Sequence, residues 1–273
     1  MRVEKILLTD EENGASLDIY VADPIKEFTR KALLILPGGA YVYRSPRETE
    51  PVAQAFMPYG YNAFVLHYTV GDDSGKAFPA QLIEVATAIK HIKDHAEEYG
   101  IDPEEVFVIG FSAGGHLAGL SATRWKMEEV CAAIPDMPYG YNKPKGAMLM
   151  YPAVDPRCAN CERYTQAFGT LLGCENPDDE QLDSVSVNLH VDEDSVPVFV
   201  MHTFNDKVVD VRNVMLLGTA YANAGIPFEM HVYPDGPHGL SVANAITAWG
   251  RPRYINSRVA EWVRLAAEWA ETL

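Results

Sequence analysis

The sequence predicts an α/β fold in which a mostly parallel central sheet carries helices on both faces. Two observations lead there. Short apolar runs of strand length alternate with stretches of helical period, an order that implies right-handed crossovers between parallel strands. One such unit, residues 106–116, reads V-F-V-I-G-F-S-A-G-G-H: an apolar strand, a sharp turn at Ser112, then small residues that suit a closely packed helix.

Taken in order, residues 17–21 and 32–36 are apolar runs bounded by turn residues and read as strands. Between them, Asp23-Pro24 and Phe28-Thr29-Arg30-Lys31 read as a hairpin connection. Residues 51–58 suit a short helix carrying Val52, Ala55 and Phe56, and 62–67 return to strand character. Over 79–99, Leu82, Val85, Ala86, Ile89, Ile92, Ala96 and Tyr99 recur with a period of about 3.6, between Pro79 as a start and Gly100 as a stop. Strand 106–110 leads to the turn at Ser112, and 147–150 is the next strand. Residues 153–195 are rich in Asp, Glu, Asn and Pro and too long for a structureless loop. They read as a small polar lid with short helices around 164–172 and 178–182. Strand 198–202, a helix over 209–224 closed by Gly225, and strand 228–233 follow. A closing helix over 254–270 sets Val259, Trp262, Val263, Ala266 and Trp269 on one face. Without repeats or linkers, the chain reads as one domain, 1–273, with one insertion, 153–195.

The composition, 48% hydrophobic and 22% charged over 273 residues, is that of an ordinary globular protein. Acidic residues outnumber basic ones 38 to 22, for a formal net charge of −16. That balance argues against nucleic acid, anionic membranes and polyanionic substrates, and leaves neutral substrates as the expectation. Charges interrupt the short apolar run in residues 1–10, and no secretory signal or membrane span is visible. A cytoplasmic location is therefore expected if the chain is the whole gene product. Cys158-Ala159-Asn160-Cys161, with Cys174 close behind, has the spacing of zinc and redox sites, yet no second pair follows. Reduced loop cysteines are the expectation, with no metal and no cofactor.

Gly110-Phe111-Ser112-Ala113-Gly114 matches the G-x-S-x-G nucleophile elbow. Side chains beside so tight a turn would collide with strand and helix, so glycine flanks it. A Gly-Ser turn without chemistry has the same five letters. A hydroxyl needs a base to act as a nucleophile, and functional groups in parallel sheets gather at the carboxyl ends of strands. Asp206 follows strand 198–202, and His238 follows strand 228–233 within Pro234-Asp235-Gly236-Pro237-His238-Gly239. Asp206 also suits the N-cap region of the next helix, and His238 a turn. Asp210 is a weaker candidate acid because it should lie inside that helix. His116 and His202 read as structural. Two amide donors for an oxyanion are expected from Ala113 and from the glycine turn at Gly39 or Ala40. Tyr41, Tyr43 and Tyr68 are candidate substrate contacts, although aromatics near loops are also routine packing.

Pro37-Gly38-Gly39-Ala40-Tyr41, Gly110-Phe111-Ser112-Ala113-Gly114-Gly115-His116-Leu117-Ala118, His202-Thr203 with Asp206, and Gly236-Pro237-His238-Gly239-Leu240 resemble the small α/β-hydrolase esterases. The group they are most similar to is the acetyl-xylan and feruloyl esterase relatives. Phe78-Pro79-Ala80 and Gly169-Thr170-Leu171-Leu172-Gly173 extend the similarity over nearly the whole chain. The resemblance implies an α/β-hydrolase fold, Ser112 as nucleophile, Asp206 orienting His238, and an oxyanion hole of Gly39 or Ala40 with Ala113. Pro37 stands where the glycine loop often has histidine, and Asp210 where the acid motif usually has proline. The implied reaction is hydrolysis of short-chain esters, such as acetyl esters of sugars or xylo-oligosaccharides, without cofactor. Rival readings are a peptidase or lipase of the same fold, or a non-catalytic small-molecule receptor. The polar insertion favours short acyl groups on a polar alcohol over long chains.

Overall fold

The computed structural model describes residues 1–8, 14–71 and 77–273, so Thr9 and Asp10 of the opening stretch lie outside it. Strands β1 (Arg2–Leu7), β2 (Ser16–Val21), β3 (Arg30–Leu36), β4 (Tyr61–His67), β5 (Ile101–Phe111), β6 (Gly146–Met150), β7 (Val198–Thr203) and β8 (Phe228–Tyr233) form one sheet. Their order is β1-β2-β4-β3-β5-β6-β7-β8, antiparallel at β1-β2-β4 and parallel from β4 onward. Leu33 to Leu36 in β3 and Val106 to Ile109 in β5 are fully buried, the unbroken apolar run of strands covered on both faces.

The expected hairpin between 17–21 and 32–36 does not join neighbours. β4 lies between them, antiparallel to β2 and parallel to β3. The run in β3 is apolar on both sides, so it belongs inside the sheet, flanked by β4 and β5. Asp23-Pro24 instead leads into a small turn of its own, bridged from Ile25 to Phe28. β1, which the sequence reading left unassigned, is an edge strand in which half-buried Arg2, Glu4 and Ile6 alternate with exposed Val3, Lys5 and Leu7.

Helix α1 (Glu50–Phe56) packs on one face of the sheet. Helices α2 (Ala80–Asp94), α3 (Ala96–Tyr99), α4 (Ala113–Thr123) and α5 (Glu128–Ala133) follow β4 and β5. The helical period over 79–99 thus breaks at His95 and ends at Gly100, whose φ of 61° suits glycine. In the insertion, α6 (Glu162–Leu172) buries Tyr164, Ala167, Phe168 and Leu171, one stripe at helical spacing. α7 (Asp179–Val185) starts on a capping box between Asp178 and Gln181. α8 (Arg212–Ala224) starts later than expected because Asp206 and Asp210 hold the preceding amides in turns. The expected helix over 254–270 divides into α10 (Ser257–Ala260), capped by Asn256, and α11 (Trp262–Ala270), after a short α9 (Ala245–Ala248). Val85, Ile89, Leu117, Leu120, Val214 and Leu217 cover one face of the sheet. Val52, Phe56, Trp262 and Ala266 cover the other. The carboxyl ends of β3, β5, β7 and β8 are left to build a cleft.

Candidate active site

The turn between β5 and α4 is set by what cannot fit there. A Cβ on Gly110 would lie 2.0 Å from the Gly114 carbonyl oxygen, and one on Gly114 would lie 2.1 Å from that of Leu36. Both distances are far inside contact, so only glycine serves. Between them Ser112 is held at φ 54°, ψ −115°, a backbone conformation that stores roughly 1–3 kcal/mol in a non-glycine residue. The Ser112 amide donates to Met150 O and its carbonyl accepts from His116, so strand β6 and helix α4 secure it from both sides.

Beyond β7 and β8, two loops are tied together. Thr203 Oγ1 donates to Gly236 O at 2.8 Å, and the Gly236 amide donates to Asn205 Oδ1 at 2.9 Å. This brings His238 Nε2 to 2.8 Å from Ser112 Oγ and His238 Nδ1 to 2.7 Å from Asp206 Oδ2. The other oxygen of Asp206 accepts the amides of Val208 at 2.8 Å and Val209 at 3.1 Å. Burial works to raise the Asp206 carboxyl. The hydrogen bond and charge of His238 and the Val208 amide outweigh it and hold the group below the usual carboxylate range. An ionised Asp206 only accepts, so Nδ1 of His238 carries the proton and Nε2 is free to accept from the serine. The alternative acid, Asp210, lies outside helix α8 rather than within it. It caps the Arg212 amide and pairs with that guanidinium instead of a histidine.

Across from Ser112, the turn after β3 has Gly39 at φ 137° and Ala40 and Tyr41 at 56° and 59°. Among the described residues the amides of Gly39, Ala40 and Ala113 donate to no other group. The Gly38 amide is taken: it donates to Glu48 Oε2 at 2.9 Å. Glu48 is buried, and its second oxygen accepts from the Tyr151 hydroxyl at 2.7 Å, which in turn accepts from the Ser241 amide at 2.9 Å. Burial raises the Glu48 carboxyl, opposed by those two donors. The Tyr151 ring lies edge-on to the His238 imidazole, with centroids 5.1 Å apart. Glu48 and Tyr151 therefore link the glycine turn to the histidine. Sequence reasoning missed both. Arg47-Glu48-Thr49-Glu50 has the look of a solvated charge run, and Tyr151 merely follows a strand.

Ser112, His238, Gly39, Ala40, Ala113, Tyr41 and Tyr43 line one cleft of about 370 Å³, closed on the insertion side by Arg163, Tyr164 and Phe168 of α6. The three tyrosines singled out above part company here. Tyr43 is exposed at the rim, where Arg163 donates to its hydroxyl at 3.3 Å. Tyr41 is almost entirely buried and gives its hydroxyl to His116 Nδ1 at 2.7 Å. Tyr68 is not a wall of the cleft. It is fully buried, and its hydroxyl donates to Pro37 O at 2.6 Å, beneath the glycine turn. His116 donates from Nε2 to Val185 O at 2.6 Å, and burial holds its pKa down to about 4, so it is a neutral connector between α4 and the insertion. His202 is buried, with Nδ1 against the Thr203 backbone. Cys161 Sγ lies 3.7 Å from Val208 O, and all four cysteines are free.

Among known proteins, the BD-FAE family model matches residues 17–221. The endo-1,4-beta-xylanase B of Butyrivibrio fibrisolvens is 36% identical over 218 residues, which are 79% of this chain and 33% of that protein. The acetyl ester-xyloside bifunctional hydrolase of Caldicellulosiruptor lactoaceticus superposes with a TM-score of 0.81 at 30% identity, covering 99% of this chain and 96% of that one. The carboxylesterase Cest-2923 of Lactobacillus plantarum gives a TM-score of 0.85 at 26% identity, covering 100% and 98%. The chain spans between 32% and 58% of the length of the curated relatives it is compared with. Among the described residues no helix is long and apolar enough to cross a membrane.

Proposed function

Because the chain belongs to the BD-FAE family of α/β-hydrolase esterases, we propose that it hydrolyses short-chain carboxylic esters through an acyl-enzyme on Ser112. The natural substrate class is an acetyl ester of a sugar or xylo-oligosaccharide. The observation that carries this reading is the line of hydrogen bonds from Ser112 Oγ through His238 to Asp206, facing the unused amides of Gly39, Ala40 and Ala113.

In the first half-reaction Ser112 Oγ attacks the ester carbonyl while His238 Nε2 takes its proton. Asp206 keeps the imidazole in the required tautomer and stabilises the cation that forms. Negative charge gathers on the former carbonyl oxygen, where the Ala113 amide and one from the glycine turn receive it. Each such donor is worth roughly 10²–10³ in rate. The carbon–oxygen bond to the alcohol then breaks, and the alcohol leaves with the proton from His238. Water enters, gives a proton to His238 and attacks the acyl carbon. Collapse of this second intermediate frees the acid and returns the proton to Ser112. The small cleft and its polar rim favour an acetyl group on a polar alcohol.

The test is a series of p-nitrophenyl esters of increasing acyl length beside acetylated xylo-oligosaccharides. Acetate is expected to turn over faster than octanoate, and Ser112→Ala to remove nearly all turnover. Better hydrolysis of octanoate would contradict the acyl preference, and an active S112A enzyme would contradict the mechanism.

A further inference from the structure

The acidity of the chain as a whole reverses at the mouth of the cleft. Arg47, Arg163 and Arg251 line it, while the one carboxylate among the described residues of the wall, Glu48, is buried and occupied by Gly38 and Tyr151. Among the described residues none of these arginines forms an ion pair with an acid, in a protein of net charge −16. Arg163 and Arg251 stand exposed there, and Arg47 acts on the buried Glu48 carboxylate, so positive charge gathers at one opening of an acidic protein.

Two of the arginines are also held in place by their side chains. Arg47 donates from Nε to Thr247 O and lies 4.1 Å above the Tyr254 ring, and its Nη2 is buried with no partner among the described residues. Arg163 reaches the Tyr43 hydroxyl and ring from helix α6. Arg251 follows Trp249, and its amide closes the turn on Ala248 O. Trp249 itself is a second, independent sign. It is 56% exposed on the cleft wall, yet stands at φ 48°, ψ 47°, where a bulky side chain rarely occurs. A strained backbone that holds a large aromatic out in solvent gains nothing in packing, and it does present a flat face to a ring.

Planar guanidinium groups match carboxylates with paired hydrogen bonds, and aromatic faces match the apolar faces of sugar rings. Resting on the esterase reading above, we propose that this mouth is a subsite for a sugar acid, so that the preferred ester sits on a saccharide carrying a carboxylate. The expectation of neutral substrates, drawn from net charge, then gives way to the local arrangement of charge.

Two measurements on the intact chain separate this proposal from the reading beneath it. The first compares kcat/KM for acetylated xylo-oligosaccharides with and without a glucuronic acid branch. The second titrates the corresponding non-ester oligosaccharides calorimetrically, which requires no turnover. The acidic oligosaccharide is expected to bind about tenfold tighter than the neutral one at low salt, equivalent to about 1.4 kcal/mol. That ratio should shrink at high salt and fall towards unity in an Arg163→Gln, Arg251→Gln double variant. Trp249→Ala should weaken both oligosaccharides together. Equal affinity for acidic and neutral sugars, or a ratio that survives the double variant, overturns the subsite. Acid-selective binding without hydrolysis of any ester overturns the esterase reading and leaves the subsite standing.

Discussion

Asp206 and Glu48 show how much of the site depends on single carboxylates facing two ways. Asp206 holds His238 with one oxygen and the backbone of Val208 and Val209 with the other. In Asp206→Asn the amide oxygen keeps the backbone bonds, and the NH₂ faces His238 Nδ1. The imidazole must then carry its proton on Nε2, which can no longer accept from Ser112. Turnover of p-nitrophenyl acetate should drop on the order of 10⁴-fold with the circular dichroism spectrum unchanged. A drop of only a few-fold would remove Asp206 from the mechanism. Glu48→Ala leaves two buried donors, the Gly38 amide and the Tyr151 hydroxyl, without an acceptor. Each such group costs about 1–3 kcal/mol, so the urea midpoint should fall clearly, while Glu48→Gln should retain more of it. An E48A protein as stable as the parent would show that water satisfies those donors. Asp206 was legible in the sequence because it follows a strand within a recognisable motif. Glu48 was not, because its partners stand 10 and 103 residues away and nothing in Arg47-Glu48-Thr49-Glu50 announces burial.

The unit of strand β5, the turn at Ser112 and helix α4 is held by close backbone approach. Gly110→Ala or Gly114→Ala would drive a methyl group to within about 2 Å of a backbone oxygen that cannot move without parting strand from helix. Either variant should unfold at much lower denaturant or fail to accumulate as folded protein, a loss beyond about 4 kcal/mol. Gly60→Ala is the control. Gly60 also has positive φ, at 84°, but no atom of the described residues lies within 4 Å of a Cβ there, so its loss should be about 1 kcal/mol. Equal losses at the two kinds of site would contradict the steric account. Elements of this kind were readable because their determinants are local: apolar runs, helical period, a glycine stop. Neighbour relations were not. That β4 separates β2 from β3 follows from which strands are apolar on both faces, a comparison across the whole sheet rather than within a turn. The late start of α8 likewise follows from the side-chain bonds of Asp206 and Asp210, which no periodicity reveals.

The molecule as a whole should be sensitive to acid. Burial holds His116 and His91 down to about 4, against 6.5 for an unperturbed histidine, and lowers His202 in the same direction. The unfolded chain therefore binds more protons than the folded one between those values. The stability these groups contribute is complete above about pH 6.5 and is lost as the pH falls towards 4. Asp206 and Asp192, lowered in the fold, add to the loss as the pH falls further through their folded values. The urea midpoint should decline steadily from neutrality to pH 4, and His116→Gln should reduce that slope. A flat profile would mean that these histidines titrate freely in the folded protein. At this scale the fold class was legible, since the order of strands and helices leaves few arrangements. The charge at the cleft mouth was not, because a net charge says nothing about where arginines gather. The most direct test of the central claim is the reactivity of Ser112 itself. On treatment with a fluorophosphonate followed by peptide mass mapping, a single adduct is expected on Ser112, abolished by Asp206→Asn or His238→Ala. Labelling elsewhere, or none at all on a folded protein, would contradict it.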